Sequence, residues 1–243
     1  MSKYKQNSLS LYVHWPYCES KCPYCDFNSH VNETITINDW IKSYKNQLFA
    51  MKEELFENNI NFRYLNTLFF GGGTPSLMPL EIIEYIIDLS KEIFGFKKDI
   101  EITIEANPSS YDKKKFIEFK KMGINRLSIG VQSLNNKYLK FLGRLHGIQD
   151  VKTSLNEASE IFDNISVDLI YAFHGQKIQD WGYELENFLN SYNLKHLSLY
   201  QLTIEEGTKF FKDHQNGKIK IIDNDKAADF YHISNKILNC YNF

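Results

Sequence analysis

The sequence predicts an α/β domain built around a parallel β-sheet. Six short apolar runs alternate with segments of helical periodicity, which is the pattern of strands followed by amphipathic helices. Strands that alternate with helices form parallel sheets with right-handed crossovers. The alternation therefore favours either an open, doubly wound sheet or a barrel or partial barrel. Both arrangements gather ligands at the carboxyl ends of the strands.

The apolar runs set the bounds of the predicted strands. They cover residues 9–15, 65–70, 100–106, 126–132, 165–172 and 196–203. Between the first two runs, apolar residues recur at spacings of three and four across residues 38–56, as an amphipathic helix requires. Pro79 is placed to open the next helix. Shorter helices are predicted at 112–122, 151–162, 181–190 and 226–239.

Size and composition indicate one large domain covering residues 1–243. Hydrophobic residues make up 43% of the chain, which is enough for a substantial core. The 28 basic and 30 acidic residues nearly balance, so no charge excess favours a polyanion. No run approaches the roughly 18 apolar residues that a membrane span requires. We therefore expect a cytoplasmic protein that does not bind nucleic acid.

The cysteines point to a metal site. Three of the four, Cys18, Cys22 and Cys25, form a C-x3-C-x2-C run on a predicted loop, and Cys240 stands alone. Such a cluster in a large chain more often holds a metal than a disulfide framework. Three thiolates can bind an iron–sulfur cluster and leave one iron open to another ligand. A structural zinc or an oxidised pair are the alternatives. Cys240 is predicted to be a small buried residue.

Other unusual residues follow the predicted strands. Gly71–Gly73, Glu105 and Gln132 each lie where a strand ends, and Asp168 lies within the fifth strand. Because carboxyl ends of parallel strands meet at one edge, these residues and the cysteine loop are predicted to share one site. Taken singly, a triple glycine is more often a tight turn, and a terminal glutamate a solvated residue or helix cap.

Several of these motifs together resemble a known family. The cysteine loop after the first strand resembles the signature of the radical S-adenosylmethionine (SAM) superfamily. Tyr12 to Cys18, with Cys25-Asp26-Phe27, is specifically similar to the oxygen-independent coproporphyrinogen III oxidases and the related HemW heme chaperones. Further matching segments stand in the family's order at 69–75, 105–109, 126–132 and 167–171. The resemblance implies a (β/α)6 partial, three-quarter TIM-like barrel with a radical SAM core.

The resemblance also implies the roles of individual residues. Cys18, Cys22 and Cys25 would bind a 4Fe–4S cluster, whose open iron takes SAM and whose reduced form cleaves it to a radical. The glycines would let the backbone approach the methionyl part of SAM, and Arg144 would suit a carboxylate. The implied SAM contacts are Tyr12, Tyr24, Gly72, Gly73, Thr74, Glu105, Gln132, Arg144 and Asp168.

Two functions are open within the family. The oxidases carry a further cysteine two residues after the third, where this chain has Phe27. We therefore favour a HemW-like heme-trafficking protein over an oxidase, with heme or a porphyrin-related ligand, an electron donor protein and a heme-receiving protein as partners. Family members continue into a C-terminal domain with a His-Asn-x-x-Trp motif, which these 243 residues lack. We expect the chain to be incomplete, with cluster and SAM binding kept but heme binding weak or lost.

Overall fold

A computed structural model of the protein describes residues 7–31 and 34–243. Six parallel strands form one sheet, which curls into a partial barrel and confirms the α/β fold class. A separate short pair of strands lies in the loop after the first strand. The strands are β1 (Asn7–Trp15), β2 (Tyr17–Cys18), β3 (His30–Val31), β4 (Phe62–Gly72), β5 (Phe96–Ala106), β6 (Arg126–Gln132), β7 (Ile165–Tyr171) and β8 (His196–Gln201). The sheet order is β1-β4-β5-β6-β7-β8, so each crossover leads to the adjacent strand.

Helices connect successive strands of the sheet, and two more follow its last strand. They are α1 (Ile37–Glu57), α2 (Leu80–Phe94), α3 (Lys113–Lys121), α4 (Asn136–Phe141), α5 (Ile148–Ser159), α6 (Ile178–Ser191), α7 (Lys209–Gln215) and α8 (Asn224–Cys240), with single 3-10 turns at Pro75–Leu77 and Pro108–Ser110. None of these helices, within the described residues, is long and apolar enough to cross a membrane. Pro79 is the residue immediately before α2, as its position in the sequence predicts.

Two short helices, α4 and α7, are absent from the sequence prediction. Each has fewer than two full turns, so its apolar residues do not repeat often enough to show a period. Both begin at a polar cap. The side chain of Asn135 accepts a hydrogen bond from the backbone of Lys137, and that of Thr208 accepts one from Phe211.

The apolar core lies between the sheet and its covering helices. In β1, Leu11, Val13 and Trp15 are buried while Tyr12 is 54% exposed, so the two faces of the strand differ. In β6 and β7, by contrast, nearly every residue is buried, as expected for parallel strands covered on both faces. The carboxyl ends of all six strands of the large sheet open into one space.

The prediction that Cys240 is buried is wrong, because its side chain is exposed. The buried stripe of α8 runs through Ala227, Phe230, Ser234 and Ile237. Cys240 is the last residue of the helix, beyond these packed turns, and its Sγ donates a hydrogen bond to the carbonyl of Lys236 at 3.3 Å. The apolar spacing predicts this helix, but the buried stripe ends at Ile237, about one turn before the helix ends.

Phe70 on β4 lies in the core and should contribute strongly to stability. Phe70→Ala removes a side chain with 0% exposure and should lower the free energy of unfolding by about 3–5 kcal/mol. Phe56→Ala, the same chemical change at a side chain with 84% exposure, should alter it by less than about 0.5 kcal/mol. Urea unfolding of both variants measures the difference. Equal destabilisation would contradict the described core.

Candidate functional site

One cavity of about 330 Å³ opens at the carboxyl ends of the strands. Its wall combines the cysteine loop with the ends of β4, β5, β6, β7 and β8. Within it lie all the predicted cluster and SAM residues except Tyr12, namely Cys18, Cys22, Tyr24, Cys25, Gly72, Gly73, Thr74, Glu105, Gln132, Arg144 and Asp168. The fold thus brings together residues that are up to 150 positions apart in the chain, from Cys18 to Asp168.

Tyr12 lies outside this lining. Its ring stacks on Phe69 with 5.9 Å between centroids, and its hydroxyl lies beside the backbone of Gly71. Tyr24 instead lines the cavity and contacts Phe210, with ring centroids 6.3 Å apart. Burial raises the pKa of Tyr24 well above its ordinary value, so its hydroxyl stays protonated.

The cysteine loop is held by contacts from distant parts of the chain. The backbone N–H of Cys25 donates to the carbonyl of Cys22 at 3.1 Å, which closes a turn within the loop. The N–H of Phe210 donates to the carbonyl of Pro23 at 2.8 Å. A Cβ added at Gly143 would lie 2.6 Å from the Pro23 ring, so the glycine permits close packing there. These contacts hold the cysteine loop in place through protein atoms.

The three cysteines are half-buried free thiols. Burial is the main cause that raises the pKa of Cys25, so its thiol keeps its proton until a metal displaces it. In the part of the chain that the structure describes, no three His, Cys, Asp or Glu side chains converge on a single metal ion. An iron–sulfur cluster is larger than one ion and needs ligands that stand further apart. Cys18, Cys22 and Cys25 all line the same cavity, so their thiols are placed to share one multi-iron group there.

The glycine loop packs directly against the cysteine loop. The N–H of Gly73 donates to the carbonyl of Trp15 at 2.7 Å, and that of Thr74 donates to Tyr17 at 2.8 Å. Gly72 has a φ of 114°, a conformation that side chains rarely tolerate. A Cβ there would lie 2.8 Å from the His14 ring. Added side chains would therefore meet protein atoms, so substitutions here disturb the loop itself as well as any ligand.

Two carboxyl groups line the cavity, those of Glu105 and Asp168. Glu105 Oε2 accepts a hydrogen bond from the N–H of Gly72 at 3.2 Å. Burial and the nearby charge of Asp168 raise the pKa of Glu105 to about 7. Burial also raises the pKa of Asp168, although a hydrogen bond with Ser198 opposes the shift. A ligand that brings hydroxyl donors or positive charge would stabilise both groups in their ionised form.

Arg144 connects the cysteine loop to the barrel. Its Nη1 donates to Cys22 Sγ at 3.5 Å, while its Nη2 donates to the carbonyl of Gly130 at 2.9 Å and to Oδ1 of Asn107. Sequence reasoning gave no role to Asn107 or Gly130. Their only signals were the polar residue inside the Glu105-Ala-Asn-Pro108 run and the glycine inside β6.

Further lining residues come from β8 and the segment after it. Tyr200, Gln201, Thr203 and Glu205 form the wall opposite the glycine loop, and sequence reasoning missed all of them. No motif marks them, because their place in the wall depends on how far the sheet curls. The position of Gln132 was predicted. It ends β6 with a φ of 69° and lines the cavity.

Comparison with known proteins identifies the family. The Radical SAM superfamily model matches residues 12–186. The chain belongs to the radical SAM superfamily. It is 37% identical over 250 residues to the mitochondrial radical S-adenosyl methionine domain-containing protein 1 of Dictyostelium discoideum, covering 96% of this chain and 56% of that protein.

Two further similarities concern heme and porphyrin proteins. This radical SAM chain is 40% identical over 204 residues to the heme chaperone HemW of Buchnera aphidicola subsp. Acyrthosiphon pisum, covering 84% of this chain and 53% of that protein. The solved structure of coproporphyrinogen III oxidase (HemN) from Escherichia coli superposes with a TM-score of 0.81 and 25% identity, covering 99% of this chain and 54% of that one. The chain spans about half the length of these relatives.

Membership of the superfamily implies a 4Fe–4S cluster and SAM. Together these cofactors supply an electron and a carbon-centred radical. The residues described above have simpler tasks. The cysteine loop presents three thiols, and Glu105 and Asp168 offer acceptors to hydroxyl groups. The largely buried ends of β4, β5, β6 and β7 shield their side of the cavity from water.

The first site prediction concerns the cysteines. Cys22→Ala should lose the cluster after anaerobic reconstitution, because two thiolates cannot retain it, whereas Cys240→Ala should keep it because Cys240 lies on α8 outside the cavity lining. Iron and sulfide content with visible absorbance measures both. Full iron and sulfide in Cys22→Ala would remove this residue from the ligand set.

A second site prediction concerns pH. SAM should bind the ionised form of Glu105, so affinity should fall as pH drops through the pKa of about 7, by about tenfold between pH 8 and pH 6. Glu105→Gln should weaken binding at pH 8 by about 1.5–3 kcal/mol and flatten this dependence. Calorimetric titration of the reconstituted protein measures both effects.

The matched control for that experiment is Glu101→Gln. Glu101 lies on the same strand but pairs with Arg126 at 3.9 Å and does not line the cavity. Its variant should keep the wild-type pH dependence. A pH slope unchanged in Glu105→Gln, or lost in Glu101→Gln, would show that Glu105 is not the titrating group.

Proposed function

We propose that this chain is the radical SAM core of a HemW-like heme-trafficking protein, which holds a 4Fe–4S cluster and SAM. The observation that carries the proposal is Phe27, which stands where the oxidases carry a further cysteine. Its side chain is 58% exposed and belongs to the cavity lining. The relatives named as heme chaperone HemW, at 35–40% identity in Buchnera, Synechocystis and Haemophilus, support this choice.

At position 27, an apolar ring takes the place of a thiol at the mouth of the cavity. A thiol at that position could donate a hydrogen bond, bind a metal or take part in redox chemistry, while a phenyl ring can only offer an apolar contact. Lys21 spans the same loop and donates to the carbonyl of Ser29 at 3.1 Å. The mouth thus presents an exposed aromatic ring beside a cation, which suits a flat, largely apolar ligand with carboxylates.

The alternative function is oxygen-independent coproporphyrinogen III oxidation. The fold likeness to the Escherichia coli enzyme, over 99% of this chain, is the observation that favours it. Fold alone does not determine chemistry, so the residues at the mouth of the cavity take precedence. An electron donor and a heme-receiving protein complete the proposal. The cytoplasmic location remains a prediction, and the Dictyostelium relative is named as mitochondrial.

Turnover and heme transfer separate the two functions. We expect the reconstituted chain, with SAM and a chemical reductant, to produce no protoporphyrinogen from coproporphyrinogen III. We also expect a heme complex, visible by absorbance, that is loose enough for apomyoglobin to withdraw the heme. The cluster-free Cys22→Ala variant, measured in parallel, shows whether heme binding requires the cluster.

Turnover of coproporphyrinogen III would overturn the proposal and support the oxidase. A chain that neither turns over the porphyrinogen nor binds heme at any concentration tested would also contradict heme trafficking by this core.

A further inference from the structure

Four segments of the chain meet in a row of hydrogen bonds in the wall of the cavity. Thr74 follows β4, Asn107 follows β5, Arg144 follows α4 and Cys22 lies in the cysteine loop. The Nδ2 of Asn107 donates to Thr74 Oγ1 at 3.1 Å, and its Oδ1 accepts from Arg144. Arg144 then donates to Cys22 Sγ. We call this row the Asn107 relay.

We propose that Asn107 is a positioning residue, which holds Arg144 against the Sγ of Cys22 and thereby sets the reduction potential of the cluster. The inference rests on the cluster that family membership implies and goes beyond heme trafficking. Asn107 itself touches neither the cysteines nor a reacting atom in this arrangement. Asn107 affects the reduction potential only by fixing the position of the Arg144 guanidinium.

The donor count of Arg144 supports this role. Both hydrogens of Nη2 are engaged, one with Asn107 and one with the carbonyl of Gly130. Nη1 donates to Cys22 Sγ, so the guanidinium plane is fixed by three acceptors on three different segments. Tyr24 also hydrogen-bonds the Arg144 side chain, so few of its donors are left for a ligand carboxylate. Arg144 is therefore better placed to contact a cluster ligand than to bind a carboxylate with its full fork.

The backbone at Gly130 is shaped around the relay. A Cβ added there would lie 3.0 Å from Asn107 Oδ1 and 2.9 Å from Gln132 Nε2. Gly130 has no positive φ, so its backbone conformation does not require glycine. Instead, the space that a side chain at position 130 would need is occupied by the side chains of Asn107 and Gln132. Gly130 thus allows the carboxamide and the guanidinium to lie directly on β6.

The electrostatic consequence has a definite sign. Reduction adds negative charge to a cluster, and a fixed cation that donates to a ligand sulfur stabilises the reduced state more than the oxidised one. A guanidinium that is free to move would spend less time at Cys22. Loss of the relay should therefore make the reduction potential more negative and the cluster harder to reduce.

Asn107→Leu tests the relay, since leucine keeps the approximate shape but removes both hydrogen bonds. We expect this variant to retain iron and sulfide and to show a more negative midpoint potential in an anaerobic titration followed by electron paramagnetic resonance. Gly130→Ala, whose added Cβ would press on Asn107 and Gln132 and touch Arg144 without removing a polar group, should shift the potential in the same direction.

Two further variants separate positioning from general destabilisation. In an Arg144→Leu background, Asn107→Leu should produce no additional shift, because its effect passes through the arginine. Asn125→Leu is the matched control. The Asn125 side chain also bonds two backbone groups, accepting from the N–H of Ile102 at 2.9 Å and donating to the carbonyl of Ile100 at 2.7 Å, but at the opposite end of the sheet.

The control should leave the potential unchanged. An unaltered potential in both Asn107→Leu and Gly130→Ala would overturn the proposal, as would a shift that persists in the Arg144→Leu background or appears equally in Asn125→Leu. If Asn107→Leu does not retain the cluster, Gly130→Ala decides the matter alone. The potential is read from the cluster without heme, so failure of heme trafficking is distinguishable from failure of this inference.

Discussion

Parallel pairing of the six strands is the constraint on which the site depends. Each strand of the sheet pairs with the next one along it, from β1 to β8, so all six carboxyl ends open to the same side. Residues far apart in the sequence, such as Cys22 and Arg144, are brought into contact at this side of the sheet. The glycine loop then fastens the cysteine loop to the sheet through backbone bonds to Trp15 and Tyr17. Disturbing the pairing between β1 and β4 would separate the cysteine loop from the rest of the cavity wall.

Burial of the Glu105 carboxyl group close to Asp168 affects the stability of the folded chain. The pKa of Glu105 in the folded chain, about 7, lies above its ordinary value of 4.5, so the folded state favours the protonated group. Its contribution to stability is present at acid pH and is lost as pH rises through about 7. The folded chain is therefore less stable at the pH at which Glu105 is ionised and can accept hydrogen bonds from a ligand. A bound cation or hydroxyl donor would stabilise the ionised Glu105 carboxylate. Part of the ligand's binding free energy would therefore go into stabilising the folded chain.

The sequence contained most of the fold but only part of the site. Strand β6 was predicted with its observed bounds, because its apolar run is flanked by polar residues at both ends. Strand β4 begins at Phe62, three residues before its predicted start, since its first half is only partly buried and lacks a continuous apolar pattern. Motif residues such as Gln132 could be placed because they end strands. Asn107, Gly130 and the β8 wall could not, since their roles arise from contacts between elements that no local period records.

Two residues at the ends of neighbouring strands carry left-handed backbones without being glycine. Gln132 ends β6 with a φ of 69°, and Ala172 follows β7 with a φ of 65°. Each such residue costs on the order of 1 kcal/mol relative to glycine. Gln132 offers an amide to the cavity in return, whereas the methyl group of Ala172 is buried and has no polar function. Selection for heat resistance should therefore accept glycine at position 172 more readily than at position 132, where the gain in backbone freedom would remove a ligand-facing group.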